Sequence, residues 1–156
     1  NLLGITILKI KEENMSDIGF KVVSLAREWL GKEFNPGKNE QCCYFVRKVF
    51  LQAGKELGVT KNPSDNFFPT DAGYANSLAG DDIGYRINKI SDLFEGDIIF
   101  FKNTYGNWPE GTITHVGIYC GNGEFIHRTT DSQPVAQVSL ATYCDGLKFV
   151  EGRRVF

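Results

Sequence analysis

A thiol and two imidazoles are the groups in this chain with the chemistry of a covalent catalyst. Its cysteines stand at 42, 43, 120 and 144, and its histidines are His115 and His127. Cys42 is distinguished by its surroundings. It opens the stretch Gln41-Cys42-Cys43-Tyr44-Phe45-Val46-Arg47-Lys48-Val49-Phe50, where Phe45, Val46, Val49, Phe50 and Ala53 repeat with the spacing of one buried helix face. A thiol in the first turn of a helix meets unpaired backbone N–H groups and the positive end of the helix dipole, which favours the thiolate and lowers the pKa from about 8.5. With an imidazole to take its proton, and a second polar group to fix that imidazole's tautomer, it becomes a nucleophile. Two plainer readings stand beside this one. A cysteine on an apolar helix face is ordinarily a small buried residue, and a strand histidine is ordinarily structural. A third reading makes Cys42, His115 and His127 zinc ligands, against which stands the lack of a short chelating pair such as His-x-x-x-His.

Both histidines fall on one predicted hairpin. Thr112–Cys120 and Glu124–Thr129 read as strands around Gly121-Asn122-Gly123, residues that tolerate the positive φ of a tight turn. A two-residue turn at Asn122-Gly123 pairs Gly121 with Glu124, and the same register sets His115 opposite Thr130 and His127 opposite Ile118. A bulge alters that count, so the relative faces of the two rings stay open.

The elements that must position these groups follow from periodicity. Ser16 or Asp17 caps a first helix over 17–30, carried by Val22, Val23, Ala26, Trp29 and Leu30 and ended by Gly31. Residues 32–40 form a loop into the Cys42 helix, which extends to about Leu57. A short helix is expected over Ala72–Leu78, a buried strand over Asp97–Phe101, a loop over Asn103–Gly111, and further strands over Val135–Val138 and Leu147–Phe156. Helices first and strands after predict an α+β domain with helices packed on a mostly antiparallel sheet.

With 156 residues, 42% of them hydrophobic, the chain has the size of one domain with a real core. The 17 basic and 19 acidic residues are well mixed and give a net charge of −2, which offers no extended basic face for a phosphate backbone and no polybasic membrane patch. Nucleic acid is therefore not an expected partner. No apolar run reaches the roughly 20 residues of a membrane span, and the first residues lack the pattern of a signal peptide. Residue 1 is Asn and the single methionine is Met15, so residues 1–15 are read as an N-terminal arm or non-native extension before a single domain over 16–156. The four cysteines fit neither a zinc spacing nor a disulfide framework.

Five segments stand in order along the chain: Gln41-Cys42-Cys43-Tyr44-Phe45-Val46, Glu95-Gly96-Asp97-Ile98-Ile99-Phe100-Phe101, Thr114-His115-Val116-Gly117-Ile118-Tyr119, Gly121-Asn122-Gly123 and Phe125-Ile126-His127. Together they resemble the NlpC/p-sixty cysteine peptidases that cut bacterial cell-wall peptides. The matching family patterns are Asp-Cys-Ser-Gly-Phe-Val, Pro-Gly-Asp-Leu-Val-Phe-Phe, Ser-His-Val-Gly-Ile-Tyr, Gly-Asn-Gly and Phe-Ile-His. The resemblance implies a papain-like fold, Cys42 as nucleophile, His115 as general base and His127 as the residue orienting it. It implies no metal and no organic cofactor. Cys43 takes the place of the family serine and is read as a small packing residue, with both neighbouring thiols reduced because a disulfide between them would be strained.

Residues expected at the substrate are Phe34, Gln41, Cys43, Tyr44 and Thr114. Among them Gln41 replaces an aspartate, Tyr44 a glycine, and Phe34 lacks the hydroxyl of a tyrosine many members carry. The expected activity is a cysteine peptidase or amidohydrolase acting as a monomer on a peptidoglycan stem peptide or related amide. An acyl transferase or other amidase with the same triad, or an idle domain that binds wall fragments, are the alternatives. The resemblance places such a protein in the envelope or outside the cell.

Overall fold

Asn1 starts the first helix, its Oδ1 accepting the N–H of Leu3 at 2.9 Å, and α1 then runs without interruption over Leu2–Glu28. These features belong to a computed structural model that describes residues 1–35, 41–57, 71–80, 83–129, 134–145 and 148–156. The expected start at Ser16 or Asp17 is thus a mid-helix position, and the expected arm is the first half of the same helix. Leu, Ile, Lys and Glu dominate residues 2–13 and are good or fair helix formers, while a Ser or Asp nucleates a helix only where the chain arrives extended. The two halves differ in packing. Leu2, Leu3, Ile5 and Leu8 are exposed, whereas Val22, Val23 and Ala26 lie in the core. Among the described residues no helix is long and apolar enough to cross a membrane.

The Cys42 helix, α2, spans Gln41–Gln52 and buries Cys42, Cys43, Phe45, Val46, Val49 and Phe50. It stops short of Leu57 because Gly54 turns the chain at φ 89°. The N–H of Gly54 then bonds the Leu51 carbonyl and the N–H of Lys55 the Phe50 carbonyl, closing the helix end. A third helix, α3 (Asp71–Gly80), overlaps the one expected over Ala72–Leu78.

Six strands form one antiparallel sheet: β1 (Tyr85–Ile87), β2 (Ile98–Lys102), β3 (Ile113–Gly121), β4 (Glu124–Arg128), β5 (Val135–Ser139) and β6 (Phe149–Arg154), in the spatial order β1-β6-β2-β3-β4-β5. The expected α+β architecture is therefore present. Alternation of side chains divides the sheet cleanly. Ile98, Phe100, Val116, Ile118 and Ile126 pack with residues of α1, α2 and α3, while Ile99, Phe101, Tyr119 and Phe125 pack on the other face with Ile87, Leu93 and Leu140. Burial on both faces makes β2 and β3 read as unbroken apolar runs. Three elements are absent from the expectation: β1, a 3₁₀ turn over Ile90–Asp92, and α4 (Leu140–Tyr143). Each is three or four residues long, and β1 exists by pairing with the far end of the chain in β6.

A buried ion pair ties this far edge together. Arg154 meets Asp97 in a two-pronged contact, Nε to Oδ1 at 2.8 Å and Nη2 to Oδ2 at 2.7 Å. The same carboxylate accepts the N–H of Phe94, and the same guanidinium donates to Tyr85 Oη and the Asp92 carbonyl. Loss of one partner leaves the other charged and buried, which costs about 3–5 kcal/mol. Asp97→Ala is expected to lower unfolding free energy in urea by that amount, and an unchanged midpoint would remove the pair from the account.

Candidate active site

The placement of the two histidines depends on one extra residue. Gly121 pairs with Glu124 as expected, and Asn122 and Gly123 carry φ values of 54° and 72°, the two positive angles of a type I′ turn. Then the register slips: Tyr119 faces Phe125 and Ile118 faces Ile126, so Cys120 is inserted on β3 without a counterpart. The expected pairing of His127 with Ile118 is corrected by one position. In the unslipped register His115 and His127 would look to opposite faces. The bulge turns them to the same one.

On that face the rings meet. His115 Nε2 and His127 Nδ1 are 2.7 Å apart, with ring centroids 4.9 Å apart and planes nearly perpendicular. Phe101 and Phe125 form the floor: Phe101 lies 6.0 Å from His115, and Phe125 lies 4.7 Å from His127. Gly117 leaves room for this arrangement, since a Cβ there would come within 2.8 Å of the Phe125 ring and 3.3 Å of His127 Cβ. A second bulge sits at Thr114, between the pairs Phe101 with His115 and Lys102 with Ile113. Its hydroxyl accepts the N–H of Thr104 at 3.1 Å and bonds the Thr104 hydroxyl at 2.6 Å, fixing the chain just before His115.

Cys42 lies in the first turn of α2, in the core cluster on the helix side of the sheet, 2% exposed. Two residues that the sequence reading passed over connect it to the histidine strands. Arg128 follows His127 on β4 and, by alternation, points to the helix side. It is fully buried and donates to the Phe34 carbonyl, Asn35 Oδ1, the Thr129 carbonyl and, at 2.7 Å, Gln41 Oε1 beside Cys42. Tyr143 closes the other side. Its ring centroid is 5.9 Å from His115 and 5.4 Å from His127, and Cys42 lies near enough to act on its hydroxyl electrostatically. An arginine at a buried strand position was a readable signal for the first. Tyr143 stands on a helix too short to show a period.

The residues expected at the substrate divide by exposure. Tyr44 is open, 39% exposed, with its ring 5.6 Å from Phe34, and Gln41 is half-buried. Phe34 packs edge-on against Trp29 and Phe45. Cys43 and Thr114 are interior residues: the Cys43 thiol points to the Tyr74 carbonyl at 3.8 Å, and Thr114 is taken up by Thr104. Among the described residues no group of three His, Cys, Asp or Glu is placed to hold a metal ion.

Burial governs the titration of the imidazoles. Loss of hydration, then the neighbouring His127 and the Arg128 charge, hold His115 well below its ordinary value of 6.5. Burial alone takes His127 down to about 4. Both rings are therefore neutral at pH 7, the state in which one can accept a proton. Burial, followed by the charge of a Cys42 thiolate and then of Cys144, raises the Tyr143 hydroxyl. A base with a depressed native pKa is protonated first in the unfolded chain, so stability is full above 6.5 and is lost as pH falls toward 4. The urea midpoint is expected to decline through that window, and His127→Gln is expected to flatten the decline.

The geometry agrees with what comparison finds. The model of the NlpC/P60 family matches residues 28–151. A probable endopeptidase NlpC homolog of Haemophilus influenzae is 27% identical over 86% of this chain and 61% of its own length. Murein DD-endopeptidase MepS/murein LD-carboxypeptidase of Escherichia coli is 26% identical over 89% of this chain and 64% of its own. The chain thus spans about three fifths of these relatives. Among solved structures, NlpC1 of Trichomonas vaginalis superposes with a TM-score of 0.66 at 23% identity, over 88% of this chain and 44% of that one, and shows the same fold. With the family model covering the Cys42 helix and both histidine strands, the chain belongs to the NlpC/P60 family, with its papain-like α+β fold.

Proposed function

We propose that the chain is a cysteine amidohydrolase that cleaves an amide bond in bacterial cell-wall peptides, with Cys42 as nucleophile, His115 as general base and acid, and His127 as the residue that orients His115. The observation that carries this reading is the 2.7 Å contact between His115 Nε2 and His127 Nδ1 in a buried, aromatic surround. With the shared hydrogen on His115 Nε2 and donated to His127 Nδ1, the other nitrogen of His115 keeps its lone pair for the thiol proton.

The steps follow from that tautomer. The Cys42 thiol gives its proton to His115 Nδ1 while sulfur attacks the amide carbonyl. As the carbon–nitrogen bond breaks, the same proton passes to the leaving amine. Water then gives a proton to His115 and attacks the thioester, and the carbon–sulfur bond breaks to return the thiol. The backbone N–H of Cys42, at the helix start, faces the oxyanion, and loss of one such donor typically costs about 10²–10³ in rate. A murein substrate is supported by the name of the Escherichia coli relative and by the family's peptidase members. Incubation with defined muropeptides and mass spectrometry tests the reading: the wild type yields two fragments and Cys42→Ala none, whereas intact substrate with both proteins across a broad panel would contradict it.

A further inference from the structure

The imidazole pair lies on a sheet face, and three aromatic rings close around it. Two of them are set by the strands themselves, Phe101 on β2 at 6.0 Å from His115 and Phe125 on β4 at 4.7 Å from His127. The third comes from outside the sheet. Tyr143 meets both imidazoles and both phenylalanines, its ring centroid 5.9 Å from His115, 5.4 Å from His127, 4.9 Å from Phe101 and 5.0 Å from Phe125. A short helix delivers it. The N–H of Leu140 bonds the Gly123 carbonyl of the hairpin turn at 2.8 Å, the Leu140 side chain is buried in the aromatic cluster, and Tyr143 follows three residues on, over the same helix face. The ring is thus tied to the hairpin that carries both histidines.

What Tyr143 brings to this centre is its ring rather than its hydroxyl. Burial first, then the charges of Cys42 and Cys144, push the hydroxyl pKa up, so the group stays neutral, and among the described residues it makes no hydrogen bond. The ring excludes water. Burial is the largest cause holding both imidazoles below their ordinary value, and water admitted at this wall would hydrate them and compete for the 2.7 Å contact between them. Resting on the amidohydrolase reading above, we propose that Tyr143 is a positioning residue of the catalytic centre, whose ring seals the His115–His127 contact from water and holds His115 in the orientation that serves Cys42. It acts through the imidazoles and contacts no substrate in this role.

His115 and His127 are the two histidines of the chain, so their ring C–H signals in an NMR pH titration read the seal without any substrate. In Tyr143→Phe both titrations are expected to stay at their wild-type positions. In Tyr143→Ala that of His127 is expected to rise from about 4 by at least about one pH unit, with His115 moving the same way. Neither change alters a charge near the pair: Arg128 acts on His115 from β4, Cys42 and Cys144 stand within electrostatic reach of the Tyr143 hydroxyl, and Lys148 Nζ is 5.5 Å from the ring centroid. Where muropeptides are cut, the acid limb of kcat/KM moves up with the His115 titration, and the loss in acid falls on kcat with KM held. Unmoved titrations in a folded Tyr143→Ala protein, the result for a residue that only packs, overturn the proposal, and so does a shift in Tyr143→Phe as large as in Tyr143→Ala. Should Tyr143→Ala fail to fold, Tyr143→Gln, which keeps bulk without the apolar ring, carries the same expectation and the same contradiction. The expected shift in a protein whose wild type cuts no muropeptide supports the seal and tells against the amidohydrolase reading alone.

Discussion

A strand turns successive side chains to opposite faces, so the single extra residue at Cys120 decides whether His115 and His127 can meet. Without it one imidazole would project among the helices and the other among Phe101, Phe125 and Tyr143. With it both lie on the aromatic face, and the 2.7 Å contact between them becomes available. Their placement there has an electrostatic result as well. Burial among rings strips hydration from both imidazoles and keeps them neutral, which a general base requires and which a solvent-exposed pair would not achieve in acid. The bulge is thus a condition of the proposed chemistry as much as of the geometry.

The thiol must be brought to those rings from the other side of the sheet. Two side chains add to the direct packing of α2 on β3 and β4. Arg128 reaches from β4 to the chain before α2 and to Gln41 on its first turn, using bonds of a charged donor, a class worth about 1.5–3 kcal/mol each. Tyr143 reaches from α4 over the imidazoles toward Cys42. Gln41 stands where the family pattern has aspartate. Its amide oxygen is engaged by Arg128, so the departure at this position belongs to the brace between helix and strand. Phe34 fits the same picture, since its carbonyl is an Arg128 acceptor and its ring is part of an aromatic cluster with Trp29 and Phe45.

What the sequence disclosed was what local physics writes into it. The apolar stripe of α2, the Asn122-Gly123 turn and the buried strand after Gly96 each depend on neighbours a few residues away, and each is found close to its expected place. The hairpin pairing was legible at the turn and failed three residues on, because nothing in Tyr119-Cys120-Gly121 marks which residue leaves the ladder. The start of α1 was misplaced because Asp17 has the chemistry of a cap without the extended chain that a cap needs. Tyr143 and β1 could not be read at all. The first stands on a four-residue helix and the second pairs with residues almost seventy positions away, and neither leaves a period in the chain.

The central claim is that His115 takes the proton of Cys42, and the rate of iodoacetamide alkylation at Cys42, located by peptide mass mapping, reads this directly. The wild type is predicted to label readily at pH 6, at least about ten times faster than His115→Ala, whose profile moves toward the ordinary thiol value of about 8.5. A Cys42 inert at pH 6, or superimposable profiles for the two proteins, would contradict the account.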